Sequence, residues 1–165
     1  MASRLGKLRC LYFEEKYKDA VATANVLTGE GDLNTDLERE TRYYRAKSCL
    51  KLGQEDKAKA DLEVLSAEVQ TAFGAEARFL LAAYYYNQGS DKEAEKNIQN
   101  FIKEGTTQSY WLARCFILLA DINIDRKEDF QAKQYLLSLK ENYKVNNDVQ
   151  EMISTRLSAI SKRIK

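Results

Sequence analysis

The sequence contains no histidine and no proline, only seven glycines and three cysteines, and almost no net charge. Each shortage closes something off. Without histidine, the commonest general base and the commonest ligand of a catalytic zinc are missing. Without proline, little but glycine interrupts a helix. Cys10, Cys49 and Cys115 are odd in number and far apart, with no CxxC and no metal-ligand spacing. They are expected to be small core residues rather than a disulfide framework. Lys and Arg total 26 against 25 Asp and Glu, so no global field draws in nucleic acid or an anionic membrane. No apolar run reaches the roughly 20 residues that span a bilayer. The basic start "MASRLGKLRC" lacks an apolar h-region, so no signal peptide is expected within this chain.

What is present is globular: 44% hydrophobic and 31% charged residues in 165 positions, enough for one domain or one short repeat array. Gly29 and Gly31, Gly53, Gly74, Gly89 and Gly105 each follow apolar residues at helical spacing, as a glycine just past a helix end does. Ser90 with Glu93 and Thr35 with Glu38 match the S/T-x-x-E capping box, which predicts new helices there. The reading is helix, short turn, helix, throughout.

The stretch "ETRYYRAKSCLKLGQEDKAKADLEVL" at 40–65 has an echo 36 residues on, "EARFLLAAYYYNQGSDKEAEKNIQNF" at 76–101. An alanine with apolar partners four and seven residues later occurs as Ala20/Ala24/Leu27, Ala58/Leu62/Leu65, Ala94/Ile98/Phe101 and Ala132/Leu136/Leu139. The alanines are spaced 38, 36 and 38 apart, and the offsets put each set on one helix face. Nine residues before each alanine stand Leu11, Cys49, Tyr85 and Asn123; three before those stand Leu8, Ala46, Ala82 and Ala120. A self-similar period of this size marks stacked helical hairpins.

The pattern resembles the tetratricopeptide repeat, W-x2-L-G-x2-Y followed by A-x3-F and P. Arg78-x2-Leu81-Ala82-x2-Tyr85 with Ala94-x3-Ile98 is the best copy; Arg42-x2-Arg45-Ala46-x2-Cys49 with Ala58-x3-Leu62 and Phe116-x2-Leu119-Ala120-x2-Asn123 with Ala132-x3-Leu136 are others. The departures are the missing proline, a longer period, Lys7-Leu8 in the first copy, and Arg45 and Asn123 where apolar residues are usual. The resemblance implies an all-α superhelix, an α-solenoid of about four helix pairs, with repeats near 4–34, 35–73, 74–106 and 107–145 in a single domain over 1–165. At 147–164 the stripe Val149, Ile153, Leu157, Ile160 and Ile164 opposes Glu151, Ser154, Ser158, Ser161 and Lys162, which predicts a capping helix. Its basic end, Lys162, Arg163 and Lys165, reads as a solvated tail.

Such arrays bind peptides or protein segments in a concave groove lined by the first helix of each pair. Carried onto this chain, the resemblance selects Tyr43, Lys47, Leu50, Phe79, Ala83, Tyr86, Asn87, Ile117, Asp121 and Asp125. That lining is aromatic at one end and acidic at the other. The family's carboxylate clamp of Lys and Asn is not reproduced, because Asp121 and Asp125 oppose a carboxylate and only Lys47 assists one. Tyr43, Phe79 and Tyr86 either receive an aromatic or apolar anchor of a partner or pack on neighbouring helices. Tyr85 is expected in the core, and Trp111 is expected to staple its helix to the one before.

No catalytic motif is present, whether G-x-x-x-x-G-K-[ST], G-x-S-x-G or H-E-x-x-H. Asp121 and Asp125 lie one helical turn apart but have no third convergent ligand in the sequence. The expectation is a non-catalytic scaffold or adaptor for a protein or peptide partner, with no cofactor, no metal, no nucleic acid and no membrane insertion. "KEDFQAKQYLLSLKENY" at 127–143 and the segments before it resemble C-terminal repeats of tetratricopeptide proteins from Bacteroides-type bacteria. Those in turn are similar to the periplasmic tetratricopeptide domain associated with the Tol-Pal system. That likeness implies a domain of a larger cell-envelope protein, and because an array with an exposed end helix can stack on its copy, the second reading is a self-associating, homo-oligomeric module of such a protein. It places the chain in the periplasm if it is a fragment of such a protein, and in the cytoplasm otherwise.

Overall fold

The computed structural model describes residues 2–31 and 33–164. Among them the secondary structure is all α-helical: α1 (Ala2–Phe13), α2 (Tyr17–Gly29), α3 (Thr35–Lys51), α4 (Glu55–Leu65), α5 (Ala72–Asn87), α6 (Asp91–Glu104), α7 (Ser109–Asp125), α8 (Asp129–Asn142) and α9 (Asp148–Arg163). Lys165, at the end of the basic tail, lies outside the described residues.

One turn recurs in the backbone. Glu15, Gly53, Gly89 and Lys127 all have φ between 60° and 73°. Each stands five residues before one of the alanines Ala20, Ala58, Ala94 and Ala132. The residue after it donates its N–H back five positions, to Leu11, Cys49, Tyr85 and Asn123 in turn, at 2.8–2.9 Å. The left-handed residue itself bonds three positions back, to Tyr12, Leu50, Tyr86 and Ile124. This is the Schellman closure, which satisfies the last carbonyls of a helix and needs one residue in the left-handed region. The next helix then starts without side-chain help. Lys16, Gln54, Ser90 and Glu128 adopt nearly the same φ and ψ, and none makes a side-chain cap bond.

The Ser90/Glu93 capping box is therefore not formed; Ser90 instead gives its backbone carbonyl to Glu93 and Ala94. Nor does Thr35 cap α3. Asn34 does, accepting from Leu37 N–H at 2.9 Å, while Glu38 turns its carboxylate to Arg42. Two of the glycines also differ from expectation. Gly29 is the last residue of α2, and Gly74 lies inside α5. A Cβ at Gly74 would stand 2.0 Å from the Glu68 carbonyl oxygen, so this glycine serves a close backbone approach.

The chain divides into two compact units, one up to Leu81 and one from Ala82. In the N-terminal unit α1, α2 and α3 pack on one another and α3 packs on α4. In the C-terminal unit α7, α8 and α9 form the same mutual triplet, with α6 against α7. All twelve residues of the alanine-based sets are buried, among them Ala20, Ala58, Ala94 and Ala132 with no exposed surface. Burying each large aliphatic member is worth roughly 1.5–3 kcal/mol, and the alanines let the helices approach. Leu5, Leu8, Ala20, Ala24, Leu27 and Tyr44 make one core cluster; Ile117, Leu136, Val149, Ile153 and Ile160 belong to another, in the second unit.

Cys49 and Cys115 are buried as expected, but Cys10 is exposed on α1. Tyr85 is half-buried rather than core. In α9, Val149, Ile153 and Ile160 face inward, whereas Ile164 is 66% exposed just past the helix end. Asn147 caps this helix, accepting from Val149 N–H and donating to the Tyr143 hydroxyl. Trp111 is half-buried, edge-on to Tyr110 with ring centroids 4.9 Å apart.

Candidate functional site

The expected groove residues are held by partners about one repeat further along the chain. In the N-terminal unit, Tyr43 on α3 stacks on Phe73 of α5, with centroids 4.2 Å apart and an interplanar angle of 22°. Its hydroxyl donates to Glu76 Oε2 at 2.8 Å. Lys47, one turn on, forms an ion pair with Glu76 Oε1, and its ammonium lies 5.7 Å from the Tyr43 ring centroid. Both Glu76 oxygens are thus engaged, and the residue is 7% exposed. Burial, then the Glu76 charge and hydrogen bond, hold the Tyr43 hydroxyl far above the ordinary tyrosine range. Leu50 and Phe79 are half-buried.

In the C-terminal unit, Tyr86 on α5 donates its hydroxyl to the exposed Asp125 on α7. That hydrogen bond first, then burial and the charges of Asp125, Asp121 and Asp91, push its pKa up to about 12. Asp121 is held by Arg156 of α9 in a bidentate pair, with Nε to Oδ1 at 2.6 Å and Nη2 to Oδ2 at 2.8 Å. Asp121 and Asp125 are therefore claimed by different partners and do not converge as an acid or metal pair. Among the described residues, no group of three His, Cys, Asp or Glu side chains is placed to hold a metal ion. Asn87 is exposed and Ala83 half-buried. Ile117 is 3% exposed within the second unit's core, which removes it from any ligand-facing surface.

Sequence reasoning missed Phe73, Glu76 and Arg156, and also Tyr12 and Phe13. The signal for the charged ones was a complementary group roughly one period ahead: Arg9 pairs with Glu40, Lys47 with Glu76, and Asp121 with Arg156, separated by 31, 29 and 35 residues. Tyr12 and Phe13 end α1, and Phe13 is 71% exposed. Their rings meet Tyr44 at centroid distances of 5.1 and 6.1 Å.

The two polar residues at usually apolar positions also find partners. Arg45 holds Asp61 of α4 through Nε and Nη2, both at 2.7 Å, and spends Nη1 on Asn25 and Thr28 of α2. Asn123 donates to the Leu119 carbonyl at 2.7 Å.

Comparison of the chain with protein-family models, curated proteins and solved structures finds no match. Among the described residues, no helix is long and apolar enough to cross a membrane.

Proposed function

We propose that the chain is a tetratricopeptide-like α-solenoid that acts without catalysis, as a scaffold or adaptor holding a segment of a partner protein against the first helices of its helix pairs. The observation that carries this reading is the fourfold recurrence of one left-handed turn at a fixed distance from four buried alanines. Identical hairpins stack into open arrays whose function lies in the surface that stacking creates. Polar side chains tie each odd-numbered helix to the next odd-numbered one, through Arg9 to Glu40, Tyr43 to Glu76, Tyr86 to Asp125 and Asp121 to Arg156. These ties fix the spacing of a binding surface, so a partner meets a preorganised face.

The test compares two variants with intact melting behaviour in capture from lysate of the source cell. Phe13→Ala with Asn87→Arg alters exposed positions on first helices; Val26→Ser with Val64→Ser alters exposed positions on second helices. Loss of a bound protein from the first variant alone supports the reading. Loss from the second alone, or equal capture by both, sinks it. A concentration-dependent molar mass that tracks either variant would favour the self-associating module instead.

A further inference from the structure

An open cleft of about 340 Å³ lies between α2, α3 and α4 of the N-terminal unit. Its polar wall is Asn25 of α2, Arg45 and Cys49 of α3, and Lys57 and Asp61 of α4. The volume falls at the small end of ligand sites, which run from roughly 300 to 1,000 Å³. The acceptors in this wall are already engaged. Asp61, 3% exposed, takes two hydrogen bonds from Arg45 and one from Arg42. Asn25 Oδ1 takes one from Arg45 Nη1 at 3.0 Å.

The donors are not all engaged. Among the described residues, the Lys57 ammonium and the Asn25 NH2 make no hydrogen bond, and Lys57 has no ion-pair partner. Arg45 makes four hydrogen bonds with its five N–H groups. Cys49 lines the cleft while only 2% exposed, and its thiol has no hydrogen-bond partner among the described residues. Burial first, and then the Asp61 charge, raise the thiol pKa against the opposing effect of Arg45 and Lys57. At neutral pH it is therefore an uncharged S–H, a weak further donor that repels no anion. Two cations against one carboxylate leave the wall with one unbalanced positive charge.

Independently of the partner-binding reading above, we propose that this cleft is a binding site for a small oxyanion, a carboxylate or phosphate group that accepts hydrogen bonds from Lys57, Asn25 and Arg45. Oxyanions are the ligands that accept several charge-assisted hydrogen bonds at once. A cation would meet Lys57 and Arg45, and a neutral ligand would leave the ammonium charge unanswered. Asp61 does not repel the ligand freely, because two guanidiniums already neutralise it. Its bond to Arg45 instead holds that guanidinium in place, so the site is preorganised.

The probes are sodium phosphate, sodium acetate and an acetylated, amidated glycine pentapeptide with a central aspartate. Each is titrated into the full chain at pH 7, against sodium chloride at matched ionic strength, and followed by NMR. The Asn25 side-chain amide and the backbone amides of Cys49 and Lys57 are expected to shift saturably with an oxyanion and not with chloride. Tighter binding of a free anion marks a small molecule as the source, and tighter binding of the peptide marks an acidic group on a larger one. Lys57→Met is expected to weaken binding by about tenfold. Lys92→Met on α6, a control for the general field of the protein, is expected to change it by less than about twofold. Both lysines are exposed, so neither substitution disturbs the core. The proposal is overturned if no oxyanion shifts the cleft beyond chloride, if affinity survives Lys57→Met, or if Lys92→Met weakens binding as much.

Discussion

Replacing Asp61 with asparagine is the sharpest test of how this fold tolerates an arginine where its repeat pattern wants an apolar side chain. Asp61 is 3% exposed and accepts charge-assisted hydrogen bonds from Arg45 Nε and Nη2 at 2.7 Å and from Arg42 Nη1 at 3.0 Å. The side chains of Arg45 and Arg42 are 18% and 25% exposed. Asparagine keeps the shape but removes the charge and points an NH2 at a guanidinium. Breaking a fully buried pair costs about 3–5 kcal/mol. Here the arginines reach some solvent and Arg42 keeps Glu38, so about 2–3 kcal/mol is expected, a factor of roughly 30 to 150 in the folding equilibrium. Urea unfolding of the wild type, Asp61→Asn, Arg45→Met and the double variant reads it as a cycle. A coupling of about 1.5 kcal/mol or more is expected between the two sites. Coupling below about 0.5 kcal/mol would place the pair among ordinary surface ion pairs and refute the argument.

Gly74→Ala is expected to destabilise the N-terminal unit by about 3 kcal/mol or more, since its Cβ would collide with the Glu68 and Leu65 backbone; a neutral melting curve would show that the approach relaxes cheaply. Lys127→Gly and Glu15→Gly should each raise stability by about 0.5–1 kcal/mol in thermal or urea unfolding, because a non-glycine residue at φ near 60° is strained; a loss of stability would refute this. The raised Tyr86 pKa means a contribution to stability present below about pH 10 and lost between there and about 12, as the phenol ionises later folded than unfolded. Asp125→Asn should return that ionisation toward the ordinary range in difference phenolate absorbance, and an unchanged titration would sink the assignment. Ile160→Asp should strip α9 from the C-terminal core and expose its amides to fast hydrogen exchange, whereas Ile164→Asp should change nothing; equal effects would contradict their burial.

The fold was legible wherever one helix face carries the information. Ala20, Ala24 and Leu27, and their counterparts at Ala58, Ala94 and Ala132, announced buried stripes, and every one of them is buried. Turn chemistry was half legible. Gly53 and Gly89 mark the left-handed position openly, but Glu15 and Lys127 hold the same conformation with residues that ordinarily avoid it. Their strain is tolerated because the packing on either side dictates the turn.

The expected site was less legible, because offset along a helix does not reveal what stands opposite. Spacing placed Tyr43, Lys47, Asp121 and Asp125 on first helices, and there they are. That Glu76 and Arg156 come to meet them depends on how one helix pair lies on the next, as does the burial of Ile117. Cys10 is exposed for the same reason, since whether a helix side is covered depends on whether another element reaches it. The sequence by itself determined the helices, their apolar stripes and the period at which they recur, since periodicity and backbone turn geometry are local properties. Tertiary structure alone decided which polar side chains are spent holding helices together and which apolar ones, like Phe13, stay exposed. Those outcomes depend on contacts between residues about 30 to 40 positions apart, and no local pattern records them.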